Sequence, residues 1–227
     1  MNPSSRGALA IGGVLKFTAG LGIMTLLLFL PAGTIHYAGG WRLLLTLFCP
    51  MLIFGIVLLI KSPKLLERRL HSKERRNVQS GVIRLSGLIF FAGFVVAGLD
   101  FRFCWSSVPQ AVIYAAEAIF IAGYILYAEV MRENEWLSRT IEVSEGQQVV
   151  STGLYAIVRH PMYAATLLIF LTMPLILGSW WAFAIFTIYI PTIVIRILDE
   201  ERLLHEELDG YRAYCQKVRW HILPFIW

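Results

Sequence analysis

The chain has 227 residues, of which 57% are hydrophobic and only 15% are charged, with a formal net charge of +5. Soluble domains carry about a quarter of charged residues, because polar groups must cover their surface. The composition therefore excludes an ordinary water-soluble fold, and its high apolar content excludes a disordered chain.

The apolar residues are grouped in long stretches, which can be compared with the roughly 20 residues that a helix needs to cross a membrane. Six stretches qualify or nearly qualify, at residues 17–37, 41–60, 82–99, 108–131, 163–177 and 180–198. Only Gly178 and Ser179 separate the last two, which predicts a tight helical hairpin with a short first arm. The sequence thus predicts an all-α, polytopic transmembrane helical bundle of about six spans with a C-terminal helical tail. The first stretch is interpreted as a retained span, since no small-residue cleavage site follows it.

Basic residues crowd the connection between the second and third stretches. They are Lys61, Lys64, Arg68, Arg69, Lys73, Arg75 and Arg76. With six spans, all other Lys and Arg residues except Arg42 and Arg102 fall on or near the same side, as the positive-inside rule predicts for the cytoplasm. We expect cytoplasmic termini, a multi-pass protein of a prokaryotic plasma membrane, and some attraction of this loop to anionic lipids. The arrangement argues against nucleic acid as a partner.

The three cysteines show no metal-ligand spacing, and the sequence predicts no metal site. Cys49 and Cys104 could pair near the outer face, whereas Cys215 lies on the predicted cytoplasmic side.

The distribution of polar residues divides the chain into a four-span region, residues 1–131, and a more polar region, residues 132–227. Within the first region, Glu117 lies near the middle of the fourth stretch, either as a hydrogen-bonded packing residue or as part of a cavity wall. The second region opens with a connector whose alternating residues around Gly146 suggest an extended or hairpin-like segment. Taken by itself, this pattern favours a plain connector.

The fifth stretch is preceded by GLYAIVRHPMY, residues 153–163. Proline has its φ angle set for a first helical position, so Pro161 is expected to begin the fifth span. Arg159 and His160 would then lie at a helix N-terminus, where free N–H groups favour an anion. Two interpretations remain: a carboxylate- or phosphate-binding corner, or a helix start with a snorkelling arginine.

The sixth stretch ends in RILDEER, residues 196–202. Arg196 and Glu200 share one helical face, as do Glu201 and His205, which makes ion pairs available. Arg196 also lies within the apolar run, where an ionisable group is costly unless it is paired or faces a polar cavity.

These two segments resemble the isoprenylcysteine carboxyl methyltransferases and their phospholipid methyltransferase relatives. The resemblance covers about the last 100 residues, with an RHPxY motif, a hairpin, an acidic EE pair and a GYxxY segment. It implies a membrane enzyme that binds S-adenosylmethionine (S-adenosyl-L-methionine) between its last helices and its tail. Ala164 departs from the family pattern, in which glycine often follows RHPxY.

By this resemblance, the last helices and the segment before them supply the cofactor site. Its residues would be Gly153, Leu154, Tyr155, Arg159, His160, Pro161, Tyr163, Glu200 and Glu201. Arg196 and Glu200 are the expected catalytic pair, with Arg196 facing the acceptor. Glu117, Tyr211, Arg212 and Tyr214 are expected to wall the pocket.

The protonation state of the methyl acceptor distinguishes the possible acceptor classes. A carboxylate is ionised near neutral pH and needs an orienting cation rather than a base, which favours O-methylation of an isoprenylcysteine-like or other lipophilic acceptor. An amine headgroup or a small thiol would need a base such as Glu200, His160 or Glu117. A non-catalytic lipid-binding scaffold and a reductase of similar architecture also remain open.

Overall fold

A computed structural model of the chain describes residues 3–70, 77–138 and 141–227. Four of the basic residues counted above, Lys73, Arg75, Arg76 and Arg139, lie outside these ranges. The described residues form nine α-helices and one short 3₁₀ turn, with no strand, in agreement with the predicted all-helical fold. The helices are α1 (Pro3–Ala32), α2 (Ala38–Lys61), α3 (Pro63–Leu70), α4 (Asn77–Phe103), α5 (Gln110–Glu133), α6 (Pro161–Ile176), α7 (Trp180–Thr187), α8 (Tyr189–Glu207) and α9 (Tyr211–Lys217).

Five segments are long and apolar enough to cross a membrane, and the shorter α6 is also apolar. They are 6–32, 38–61, 79–103, 110–133 and 180–207, the last of which contains α7 and α8. The polytopic helical bundle predicted from the sequence is therefore confirmed.

The first helix differs from the predicted range of 17–37, which was wrong at both ends. The helix begins at Pro3 and continues through Lys16. The Lys16 ammonium group donates a hydrogen bond to the Leu70 carbonyl of α3. It ends at Ala32 because Gly33 adopts a φ of 69°, a left-handed conformation that terminates helices. Tyr37 instead precedes the first residue of α2.

The last predicted span is broken into α7 and α8 at Ile188. Pro191 explains the break, because proline has no N–H for the carbonyl of Thr187 and its ring crowds that carbonyl. The predicted hairpin is present: Gly178, with φ of 81°, ends the turn after α6, and the Ser179 side chain accepts a hydrogen bond from the Ala182 N–H to cap α7.

Helix α6 packs mainly against α5, and α1 and α7 pack against α4. Their buried side chains form one apolar core around Leu28, Phe120 and Phe186. The connector turns at Gly146, where the Gln147 N–H donates to the Ser144 carbonyl at 3.0 Å. It forms no β ladder in its described residues, so only the turn of the predicted hairpin-like segment is present.

Candidate functional site

The candidate site lies where the N-terminal end of α6 meets the C-terminal half of α8 and the tail. Pro161 begins α6 as predicted, with His160 as the preceding cap residue. The backbone N–H groups of Arg159 and His160 donate to the carbonyls of Trp220 and His221, both at 2.8 Å. The motif is therefore held against the end of the chain.

Glu201 is the centre of the buried polar cluster. Its Oε1 atom lies 3.2 Å from Arg159 Nε and 3.1 Å from His160 Nε2, and its Oε2 atom lies 3.2 Å from His221 Nε2. The Tyr211 hydroxyl donates to Oε1 at 3.4 Å. One carboxylate thus joins α6, α8, α9 and the tail. The ion pair with His205 that the helical spacing allowed is not formed, and the His205 ring packs against Tyr211.

The end of the tail folds back onto His221. The Trp227 ring stacks on the His221 ring at 4.4 Å, and the Trp227 carbonyl accepts the His221 N–H at 2.9 Å. Burial lowers the pKa of His221 below its usual value, and Arg159, with Nη2 at 2.6 Å from His221 Nε2, lowers the pKa further, while the Glu201 carboxylate opposes the shift. The neutral imidazole is therefore the form suited to this position.

A second group lies beside this cluster, where the Tyr163 hydroxyl joins two residues of α8. This hydroxyl donates a hydrogen bond to the Glu200 carboxylate and accepts one from Arg196 Nε at 3.0 Å. The sequence predicted that Arg196 and Glu200 share a face, and the structure places a buried tyrosine between them. The two opposite charges are thereby connected through a neutral group that fixes both side chains.

Three buried tyrosines, Tyr155, Tyr211 and Tyr214, line the site. Burial raises the pKa of Tyr155 to about 12 and that of Tyr211 and Tyr214 well above the usual range. All three are neutral at physiological pH. The Tyr214 hydroxyl donates to the Tyr155 carbonyl at 2.7 Å, which fixes α9 to the 3₁₀ turn before α6.

These residues enclose a cavity of about 90 Å³. Seven predicted site residues line it: Tyr155, Arg159, His160, Tyr163, Glu200, Tyr211 and Tyr214. Ligand pockets measure about 300–1,000 Å³, so a ligand of cofactor size requires a wall to move outward. Residues 147–150 form a wall outside any helix and are the segment that can move with least loss of structure.

The other predicted residues lie behind or away from this cavity. Arg196 and Glu201 contact lining residues from behind, and Leu154 packs in the apolar cluster around Tyr155. Glu117 was expected in the pocket wall and is not there: it faces Arg42 on α2 at 3.9 Å, sixteen residues along α5 from the site end. Arg212, also expected there, is exposed on the outer face of α9. The predicted wall therefore needs correction at these two positions.

The backbone at position 153 requires glycine. Its φ is 54°, and a Cβ atom there would lie 3.0–3.2 Å from the Glu133 carboxyl group. Glu133 accepts a hydrogen bond from the Thr152 hydroxyl, so the close approach fixes the 3₁₀ turn to the end of α5.

Several lining residues were missed by the sequence analysis. They are Asn134, Leu137, Gln147, Gln148, Val149, Val150, Met162, Leu204 and Leu208. Asn134 is the most informative, because its amide donates to the Tyr155 hydroxyl at 2.9 Å. Its position directly after α5 was the available signal.

Two arginines of α3 also contribute, although the sequence analysis interpreted them only as a topology signal. The Arg68 guanidinium donates to the Glu135 carbonyl at 2.9 Å, and Arg69 donates to the Ser138 carbonyl at 3.1 Å. Arg69 also lies 3.8 Å from Met162 Sδ. Both arginines therefore hold residues 134–138 in place, of which Asn134 and Leu137 line the cavity wall.

The cavity can be tested against the cofactor that the resemblance implies. The Glu200 carboxylate suits a cationic ligand, and the three tyrosine rings suit a flat heteroaromatic group. Arg159 lines the cavity as well as pairing with Glu201, so its guanidinium can also attract an anionic ligand group. These groups fit the opposite charges and the adenine ring of S-adenosylmethionine. Among the described residues, no cluster of His, Cys, Asp and Glu could hold a metal ion, and all three cysteines are free, so Cys49 and Cys104 do not pair.

Comparison with protein families gives one assignment. Residues 111–209 match the family model described as phospholipid methyltransferase. A search of curated proteins gave no match. The matched segment covers α5 to the end of α8 and contains the RHPxY motif and the acidic pair. This part of the chain is similar to the phospholipid methyltransferase family, in agreement with the resemblance noted above. With the five long apolar segments, it indicates a multi-pass membrane methyltransferase.

Proposed function

We propose that the chain uses S-adenosylmethionine to methylate the carboxylate of a lipophilic, isoprenylcysteine-like acceptor. The observation that supports this most is the contact of Tyr163 with both Arg196 and Glu200. Through this contact, Tyr163 fixes the Arg196 guanidinium, the proposed cation for the acceptor, and the Glu200 carboxylate, the proposed anion for the cofactor, beside the same cavity.

The cofactor side is assigned to the residues around the cavity. Tyr155, Arg159, His160 and Glu200 would hold S-adenosylmethionine, with Gly153 and Pro161 fixing the backbone that carries them. When bound, S-adenosylmethionine supplies a methyl group whose carbon–sulfur bond breaks as the acceptor oxygen attacks. Glu201 keeps Arg159 and His160 in place from behind, since its carboxylate oxygens already contact both side chains.

The acceptor side is assigned to Arg196. A carboxylate near neutral pH has no proton to lose, so the protein needs to orient it and exclude water rather than supply a base. Arg196 is suited to this because its guanidinium can hold a carboxylate through two parallel hydrogen bonds. Tyr163 contacts Arg196 through Nε and limits its rotation.

The surroundings of Arg196 support a lipophilic acceptor. Ile195 and Leu198 on the same helix are 50% and 45% exposed. These exposed apolar residues are suited to contact with lipid. We infer that the apolar part of the acceptor enters sideways from the bilayer, while the water-soluble cofactor enters beside residues 147–150.

A second candidate is N-methylation of a lipid amine headgroup, which is favoured by the description of the matching family model. An amine must lose a proton before or during attack, so this reaction needs a base. Glu200 is the candidate base, because its carboxylate lies on the cavity wall.

The first experiment measures binding of S-adenosylmethionine to the purified protein in detergent by calorimetry. Binding is expected, and no heat at millimolar ligand would contradict both candidate functions. The second experiment supplies cofactor with a deuterated methyl group, a prenylcysteine analogue and phosphatidylethanolamine, and identifies labelled products by mass spectrometry. A labelled methyl ester supports the first candidate, and a labelled amine supports the second.

The assignment of Arg196 is tested by Arg196→Ala, with Arg202→Ala as a matched control. Arg202 lies on the same helix and is exposed. Loss of a charge-assisted contact is expected to lower kcat/KM for the acceptor by about tenfold to a hundredfold, with cofactor binding retained. Equal kcat/KM values in the two variants would remove Arg196 from the acceptor site.

A further inference from the structure

A second cavity lies at the end of the bundle opposite the candidate site. Helix α6 connects the two: Pro161 lies at the site, and Ile176, Leu177 and Gly178 line the second cavity. The 16 residues of α6 span about 24 Å at 1.5 Å per residue. The second cavity measures about 660 Å³, within the range of small-molecule pockets.

The floor of this cavity is rigid and aromatic. Tyr37 is almost fully buried, and its hydroxyl donates to the Leu177 carbonyl at 2.7 Å. Its ring stacks on that of Phe101 at a centroid distance of 4.4 Å. The cavity is therefore built into the packing of α2, α4 and the α6–α7 turn.

Asp100, the one acidic residue among the described residues that line this cavity, already accepts several hydrogen bonds from the protein. Asp100 is 1% exposed, and its carboxylate accepts hydrogen bonds from the Ser106 N–H at 2.7 Å, the Ser106 hydroxyl at 2.6 Å and the Ser179 hydroxyl at 2.5 Å. These three hydrogen bonds stabilise the carboxylate and hold the α4–α5 loop in place. Both oxygens of Asp100 are thus bonded within the protein, and the residue shapes the wall of the cavity.

Arg42 supplies the cation of the lining. It lies in the second turn of α2, and its guanidinium lies over the Tyr114 ring at 5.6 Å. Among the described residues its one ion pair is with Glu117, whose Oε1 atom lies 3.9 Å from Nε, and no described residue accepts a hydrogen bond from the guanidinium. The donors on the two Nη atoms are available to an anion.

The level of Arg42 in the bundle indicates which anion it meets. Trp41, Trp105 and Trp180 lie at the same end and are 48%, 52% and 40% exposed. Partly exposed tryptophans are typical of the membrane–water interface, where lipid headgroups lie. Three residues after Arg42, on the same helical face, Leu45 is 61% exposed. A headgroup at Arg42 would therefore leave its alkyl chains beside apolar side chains.

We propose that this cavity binds the phosphate group of a glycerophospholipid, with the Arg42 guanidinium as its main donor and the aromatic lining around it. Arginine is suited to phosphate because its planar guanidinium can donate two parallel hydrogen bonds. The site is separate from the methyl-transfer site and does not depend on the function proposed above.

The test measures lipid retained by the purified full-length protein with native mass spectrometry. The probes are phosphatidylglycerol and a galactosyl diacylglycerol with the same acyl chains, which has no phosphate. The variant is Arg42→Gln. The control is Arg102→Gln, since Arg102 lies at the same end of the bundle, is exposed and packs over Phe103 without lining the cavity.

The wild-type protein and Arg102→Gln are expected to retain one phosphatidylglycerol in preference to the glycolipid. Arg42→Gln is expected to lose about tenfold in that retention, the effect of one charge-assisted contact. Equal retention by both variants, or equal retention of the two lipids by the wild type, would overturn the proposal. Inorganic phosphate alone, added during the measurement, should not displace the lipid; displacement would overturn the assignment to a lipid.

A thermal unfolding measurement shows whether Arg42→Gln loses lipid specifically or through a general loss of structure. Phosphatidylglycerol should raise the unfolding temperature of the wild type and Arg102→Gln, whereas the Arg42→Gln protein should unfold as the wild type does without lipid and show no rise. A rise of the same size in Arg42→Gln would overturn the proposal.

Discussion

Glu201 on α8 lies 3.2 Å from His221 in the tail, twenty residues further along the chain. Because the same carboxylate contacts Arg159 and His160, this pair fixes the end of the chain against the start of α6. The candidate site is therefore closed from behind by a polar cluster whose members come from three separate segments.

Glu201→Ala should destabilise the protein more than loss of an ordinary surface charge. The substitution leaves Arg159, whose side chain is 9% exposed, without its carboxylate, and breaking a buried pair costs about 3–5 kcal/mol. Thermal unfolding in detergent measures the effect, with Glu207→Ala, at an exposed position of α8, as the control. Equal unfolding temperatures for the two variants would contradict the anchoring role of Glu201.

His221 should make the stability pH-dependent in the acidic range. Its folded-state pKa is lowered, so the unfolded chain binds the proton more readily as pH falls through about 6.5. Stability is thus fully present above that value and decreases as pH falls toward the lower folded-state pKa. His221→Gln, which can still donate to Glu201, should weaken this decrease between neutral pH and pH about 5. Parallel pH profiles for the wild type and variant would exclude His221 as the source.

Arg69→Ala should weaken cofactor binding although Arg69 lies outside the segment that matches the family. Its guanidinium holds the Ser138 carbonyl and contacts Met162, so its loss releases the cavity wall. We expect the KM for S-adenosylmethionine to rise about tenfold, with kcat changed less. Lys64→Ala removes an exposed positive charge from the same helix and should leave KM unchanged. If both variants raise KM equally, the effect belongs to the charge of α3 rather than to this contact.

Tyr163→Phe should impair methyl transfer while keeping the ring that packs in the core. The missing hydroxyl leaves Arg196 Nε and Glu200 without the group that joins them. We expect kcat to fall by about tenfold to a hundredfold. Tyr114→Phe, at the opposite end of the bundle, is the control. Unchanged kcat in Tyr163→Phe would show that the two charges do not need this link.

The sequence predicted the local parts of the site well. Pro161 begins α6 because proline suits a first helical turn, and Arg196 and Glu200 share a face because the α-helical repeat brings residues four apart together. Both features depend on neighbours within a few residues. The family motif added Tyr155, Arg159 and His160, and these three residues line the cavity.

Contacts between distant segments were not predictable in this way. Arg69 and Met162 are 93 residues apart, and Arg69 appeared in the sequence only as one of several basic residues of a loop. Glu117 was assigned to the site because a charged residue in an apolar stretch suggests a function. Its position along α5 instead places it beside Arg42. A hydropathy pattern indicates only coarsely how deep a residue lies in the membrane. It carries no information on which helices pack against each other.

By itself, therefore, the sequence determined that the chain forms apolar helices, where α6 begins, and which residues share a helical face, because these depend on composition and short-range periodicity. Only the tertiary structure decided that Glu201 anchors the tail, that Tyr163 lies between Arg196 and Glu200, and that a second cavity opens around Arg42. Those contacts arise from the packing of helices that are far apart in the chain, and packing depends on the shapes of all the side chains at once.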